Sequence, residues 1–220
     1  MTSSRPASPV SLWIDSGGST ALLGLLSPST PPTLTVSSGP PLEQLAPLLR
    51  DTLHRAGLHP SQLDQIMVAG HSGSTLGLRS GLAMASTLQV LHPRLEVLAY
   101  DRLQLAARAL LRLGQASPFC IIAPRGRNQC RCVRCPSPDQ LEATTDADLA
   151  DLAPLPTFIL GDPSTFRGNL PEGYHQAPSP LREPSAYFPF PLEIARPLAE
   201  FLRPQAPAAG FLPWNFERHR

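Results

Sequence analysis

Gly70-His71-Ser72-Gly73-Ser74-Thr75-Leu76-Gly77-Leu78-Arg79-Ser80-Gly81-Leu82-Ala83-Met84-Ala85 is the stretch on which the fold reading rests. A short apolar run, residues 65–69, leads into it as a strand; a glycine-rich turn follows, and then a helical pattern. Open α/β folds place ligand loops at such strand–turn–helix junctions. Ser74 or Thr75 is placed to cap the helix by accepting a backbone N–H hydrogen bond. Gly77, Gly81 and Ala85 recur every four residues and so share one helix face. A glycine inside a helix costs about 1 kcal/mol relative to alanine, so another backbone is expected to come close to that face.

Working outward, residues 10–14 read as a strand ending at Asp15. The small polar turn Ser16-Gly17-Gly18-Ser19-Thr20 and a second apolar run, 21–26, follow. A third strand, 33–36, is expected within the Pro/Ser/Thr-rich stretch 27–41. Pro41 opens a helix, a favoured position for proline. Its Leu42, Leu45, Ala46, Leu49 and Leu53 fall at amphipathic spacing, and Gly57 ends it. Residues 10–91 therefore give three strands, a helix, a strand and a helix. Beyond them, 95–99 reads as a strand. Asp101 caps a helix whose Leu103, Ala106, Ala107, Leu110 and Leu111 share a face, and Gly114 closes it. Residues 119–123 and 129–133 form a hairpin about Pro124-Arg125-Gly126-Arg127. Thr145 with Asp148 reads as a capping box for a short helix, and 156–160 as a strand ending at Gly161-Asp162. Residues 163–190 are a Pro-rich loop with no element, and 191–202 a helix through Ile194, Leu198 and Leu202, kinked at Pro197. Residues 1–9 are expected to be a disordered tail.

The chain has 220 residues, 42% of them hydrophobic, and a net charge of +1. That balance gives no electrostatic case for direct nucleic-acid binding. Its 27 prolines are far above average, and it contains no lysine, which removes a Walker-A lysine, a Schiff-base lysine and a lysine general base. No apolar run approaches the ~20 residues of a membrane helix, and the polar N-terminus lacks the apolar core of a signal peptide. A cytoplasmic location is expected.

The stretch around residues 70–85 resembles the Gly-Pro-Gly-Ser-Phe-Thr-Gly-Leu-Arg-x-Gly-Leu-Ala signature of bacterial TsaB (YeaZ) proteins. Gly73, Ser74, Gly77, Leu78, Arg79, Gly81, Leu82 and Ala83 match; His71, Ser72, Thr75 and Leu76 depart from it. Weaker likenesses of order and spacing extend it from Val10 to Arg218. They include Ala123, Arg125 and Gly126 in the second half, with Pro124 where the family has Asp, the pair Gly161-Asp162, and the closing segment Leu212 to Arg218. The resemblance implies two ribonuclease-H-like lobes of the sugar kinase–Hsp70–actin superfold, 10–104 and a reduced 105–220. It also implies a non-catalytic scaffold for threonylcarbamoyladenosine (t6A) formation on tRNA. The scaffold's partners would be a TsaD-type transferase and a TsaE-type ATPase, with tRNA touched only indirectly. The two helices 41–56 and 76–91 would meet the partner, through Leu45, Leu49, Gly73, Ser74, Gly77, Leu78, Gly81, Leu82 and Ala85, and self-association would use the same helices. Without the resemblance, that small-residue stripe reads as packing on the chain's own sheet.

In that superfold an Asp and a small polar hairpin wrap a nucleotide phosphate with backbone N–H groups. Asp15, Ser16, Gly17, Gly18 and Arg79 are then nucleotide-proximal, with ATP or ADP near the partner junction and none bound tightly. From the residues alone, the same hairpin reads as an ordinary turn, and Arg79 as structural or interfacial. No catalytic residue is assigned. His54 and His59 are five apart, and no His-x-x-x-His metal pair occurs. Ser72 beside His71 is badly placed for a nucleophile–base pair. Two other classes are carried: an ATP-dependent phosphotransferase of the same superfold, and a small zinc-binding module using Cys130, Cys132 and Cys135. Against zinc, only Cys132 and Cys135 have knuckle spacing, and Cys130 and Cys132 are expected on opposite faces of a strand, as free thiols rather than a disulfide.

Overall fold

The computed structural model describes residues 9–201, apart from 28, 29, 38, 126, 127, 153, 154, 167–169, 171, 181 and 189–193. The tail 1–8 and the closing segment 212–218 lie outside the described residues. Strands β1 (Ser11–Asp15), β2 (Leu22–Ser27) and β3 (Thr30–Val36) form an antiparallel meander. Helix α1 (Pro41–Arg55), strand β4 (Gln65–His71), helix α2 (Thr75–Leu91) and strand β5 (Glu96–Asp101) follow, with β4 parallel to both β1 and β5. Helix α3 (Arg102–Arg112) leads to a second sheet of β6 (Phe119–Pro124), β7 (Gln129–Cys135), β8 (Thr145–Asp148), β9 (Thr157–Ile159) and β10 (His175–Gln176). A short helix α4 (Pro184–Tyr187), strand β11 (Ala195–Pro197) and a last helical turn α5 (Leu198–Phe201) close the described chain. The first sheet runs β11-β5-β4-β1-β2-β3 and the second β10-β9-β6-β7-β8.

Period two in the central strands explains the layering. Leu12 and Ile14, Ile66 and Val68, and Val97 and Ala99 point to one side of the first sheet, where α1 and α2 cover them. Trp13, Met67, Ala69, Leu98 and Tyr100 point to the other side, against Leu105 and Ala109 of α3 and Ala186 and Tyr187 of α4. Both faces are buried, as sheets with parallel crossovers require. The opposite face of α3 (Leu103, Ala106, Ala107 and Leu110) packs on the second sheet through Phe119, Ile121, Val133 and Phe158. Helix α3 thus belongs to both cores, and the expected division between 104 and 105 falls inside it.

Four local readings change. Thr145 and Asp148 do not cap a helix; they bound β8, paired antiparallel with β7 from Gln129↔Asp148 to Cys132↔Thr145. The ladder bonds available on the β7 edge outweigh a weak capping pattern. Residues 195–197 are a strand rather than part of a helix, because the free edge of β5 supplies partners, Ala195↔Tyr100 through Pro197↔Leu98. Pro197 then sits where an edge strand tolerates it. The Pro-rich stretch 163–190 holds a 3-10 turn (Pro163–Thr165), β10 and α4. Finally, Cys130 and Cys132, two apart on β7, share one face, as the pleat demands. They meet Cys120 in a small core with Ile122, Leu149 and Phe166, whereas Cys135 lies on the α3 side. Burial pushes the Cys130 thiol up to about 12, and a hydrogen bond from Cys132 draws Cys120 down to about 7. The three proposed zinc ligands cannot converge on one ion. Among the described residues no group of His, Cys, Asp and Glu has the geometry of a metal site.

Candidate functional site: a cleft closed by an arginine

Three loops leave the carboxyl ends of the adjacent parallel strands β1, β4 and β5, where open α/β sheets bind ligands. They carry Asp15 to Thr20, Ser72 to Ser74, and the Asp101–Arg102 junction. Together with Leu22, Leu105, Pro124, Leu160, Pro178 and Tyr187 they line a cleft of about 730 Å3 between the two sheets. That volume lies within the range of small-molecule sites.

The glycine spacing of α2 is explained at the floor of this cleft. A Cβ on Gly77 would stand 1.9 Å from the Ser16 carbonyl oxygen, and one on Gly81 2.4 Å from Ser16 Oγ. The close backbone expected from the sequence is therefore the chain's own hairpin. Ser74, rather than Thr75, caps α2 by accepting from Gly77 N at 3.4 Å. Its backbone N–H donates to Gly17 O at 2.8 Å, which pins the hairpin to the helix start.

The expected partner-contact residues divide accordingly. Leu45 and Leu49 are buried in the first core together with Ala85, and Gly77 and Gly81 are buried under the hairpin. Leu78 and Leu82 are half-buried, and Gly73 and Ser74 are exposed. Five of the nine are thus engaged inside the chain, because the small residues serve an internal close approach. The exposed residues of α2 include Leu76, Arg79, Ala83, Thr87, Val90 and Leu91. Arg79 is among them and is absent from the cleft lining. Asp15, Gly17 and Gly18 do line the cleft, while Ser16 is fully buried beneath it.

The residue that sequence reasoning missed is Arg102. Its Nε donates to the Asp15 carboxylate at 2.9 Å, and its Nη1 to the Ser72 carbonyl oxygen at 2.9 Å. Both charged side chains are nearly buried, 12% and 8% exposed. Burial pulls the guanidinium toward the neutral form, but the Asp15 charge and hydrogen bond outweigh it, and its pKa ends above the ordinary arginine value. Asp15 also accepts from Gly17 N at 3.0 Å. Next to this pair, Ser72 adopts a left-handed backbone with φ 66°, uncommon for a residue with a side chain. Its Oγ donates to Asp101 Oδ1 at 2.8 Å, which also accepts from Leu103 N at 2.8 Å and so caps α3. His71 approaches the other Asp101 oxygen at 3.9 Å. Ser72 and His71 both turn to Asp101 and not to each other, so no nucleophile–base pair forms. The available signal for Arg102 was its place: the first helical residue after the expected Asp101 cap, close behind the strand expected over 95–99.

The model of the family described as TsaD, tRNA N6-adenosine threonylcarbamoyltransferase, matches residues 38–147, half of the chain. The chain belongs to the TsaD family. Among solved structures it is similar to an uncharacterized protein with similarity to peptidase YEAZ from Pseudomonas aeruginosa, at 18% identity and a TM-score of 0.59, over 78% of this chain and 86% of that one. It is also similar to YeaZ from Pseudomonas aeruginosa, at 19% identity and a TM-score of 0.54, over 73% and 87%. Comparison with curated protein sequences returns no significant match. The family match runs from α1 into β8, the edge strand of the second sheet, and the YeaZ likeness extends the fold to most of the chain. Within the TsaD family the chain has a mixed α/β, two-sheet fold like that of these YeaZ structures. No helix of the described residues is long and apolar enough to cross a membrane.

Proposed function

We propose that this TsaB-like chain is a non-catalytic scaffold that binds and activates a TsaD-type transferase in forming t6A on tRNA. The observation that carries the reading is the outer face of the α1–α2 pair. Val90 is 79% exposed on α2, while Leu76 (57%) on α2 and Leu42 (59%) on α1, also exposed, stand at the lip of the cleft. On α2, Leu76, Arg79, Ala83, Thr87 and Val90 repeat at three- and four-residue steps, so they form one continuous stripe. Arg79 is the only charged residue in the helix. An exposed, weakly charged helix face is suited to covering by a partner helix. Family membership makes a TsaD-type transferase the partner of choice, and the absence of His-x-x-x-His from the whole sequence supports an accessory over a catalytic role. In this scheme a TsaE-type ATPase acts on the pair, and tRNA contacts run through the partner.

The test is co-elution and calorimetric titration of the full-length protein with the TsaD-type protein of the same genome. Saturable binding is expected. A folded chain that neither co-elutes nor releases heat would overturn the reading.

A further inference from the structure

The superfold implies a nucleotide whose phosphates meet the first hairpin, and the residues present do not fit one. A Cβ on Gly17 would lie 2.8 Å from Arg102 Cδ, and one on Gly73 2.9 Å from its Nη1. The arginine side chain therefore lies between the two glycine loops, in the place where a phosphate would approach their backbones. Its Nε hydrogen bond uses the Asp15 carboxylate, and the Gly17 N–H is turned inward to that same carboxylate. A bound metal ion would need the acid, and a phosphate would need the amide; both are taken. The lever is short: Arg102 is the first residue of α3, and Asp101 ties the helix start to Ser72. The guanidinium cannot swing out without leaving Asp15 buried and unpaired, which is strongly unfavourable. Beyond this point the cleft stays open, about 730 Å3, with Leu22, Leu105, Leu160 and Tyr187 on its walls. Only the Gly17 end of the hairpin, next to Asp15, is occupied.

We propose that Arg102 is a built-in cation that has replaced the ligand of the phosphate hairpin, so that the isolated chain takes no nucleoside di- or triphosphate in this cleft. Removing the guanidinium opens the hairpin to a magnesium–nucleotide, because Mg2+ then supplies the positive charge that Asp15 has lost. The inference does not depend on the scaffold reading, since it concerns the chain without a partner.

Full-length wild-type protein and Arg102→Ser are titrated with MgADP and MgATP, followed by thermal melting and calorimetry. The wild type is expected to show no shift in Tm and no binding heat up to about 1 mM, the weak limit of useful affinity. The variant should melt lower than wild type without ligand, regain stability with magnesium–nucleotide, and bind at least about tenfold more tightly, since a ligand stabilises only the state it binds. A wild type that binds as well as the variant would overturn the proposal, as would a folded variant that gains no binding. If Arg102→Ser does not fold, Arg102→Gln keeps a longer, uncharged side chain with hydrogen-bond donors and supplies the gain-of-binding arm, while the wild-type titration stands by itself.

Discussion

Gly77 and Gly81 stand one turn apart on the same face of α2 but meet different atoms in space. At Gly77 a new methyl meets a backbone carbonyl, Ser16 O, at 1.9 Å; at Gly81 it meets Ser16 Oγ at 2.4 Å. A carbonyl in a pinned hairpin cannot yield, whereas the Ser16 hydroxyl has no hydrogen-bond partner to lose and can rotate. Gly77→Ala is therefore expected to cost about 3 kcal/mol, the upper part of the range for overpacking. Gly81→Ala is expected to be within about 1 kcal/mol of neutral, because the helix propensity gained offsets the crowding. Urea unfolding of both variants measures the difference, and equal losses would contradict the geometry. At His71, burial and then Arg131 lower the pKa from the ordinary 6.5, with Asp101 opposing. The unfolded chain takes up this proton at a higher pH than the folded one, so stability falls as pH drops below about 6.5. His71→Asn should flatten part of the decline in urea midpoint between about pH 7.5 and 5.5, and an unchanged slope would remove His71 as its source.

At the scale of elements, α2 has two faces with separate tasks. Its inner face of Gly77, Gly81, Ala85 and Leu88 is buried on the sheet and hairpin, so bulky replacements there unfold the chain's own contacts and cannot report on a partner. The outer face can. Val90→Glu, at a position 79% exposed, is expected to leave Tm within roughly 2 °C, as surface changes do. It should weaken binding to the TsaD-type partner by about tenfold or more, since it buries a charge without a counter-ion. Retained affinity in the titration would place the contact elsewhere. Helix α1 follows the same logic: Leu45, Leu49 and Leu53 face the core, while Leu42 stays exposed.

For the whole molecule, α3 is the shared element. One face packs on the first sheet with α4, and the other on the second. Without it, one face of each sheet loses its cover. Unfolding is therefore expected to be one cooperative transition, with far-UV circular dichroism and the fluorescence of buried Trp13 changing together. Trp13 reports the first sheet, where its Nε1 donates to the Tyr100 hydroxyl at 2.6 Å. Two separated midpoints would show that the lobes unfold independently and that the α3 contacts do not couple them.

The sequence by itself determined the strand and helix order of residues 10–91, the Asp101 cap and a cap at Ser74 or Thr75, the turn at Asp15 and the demand for a close backbone at Gly77 and Gly81. These are local matters of periodicity, capping and glycine, and they are written in neighbouring residues. Only the tertiary structure decided what met those glycines, that Arg102 crosses 87 positions of sequence to reach Asp15, and that residues 145–148 and 195–197 become strands. A strand at an open edge is defined by its partner, and an ion pair by the fold that brings its two charges together. Neither has a local signature, since the stabilising contact lies far away in sequence.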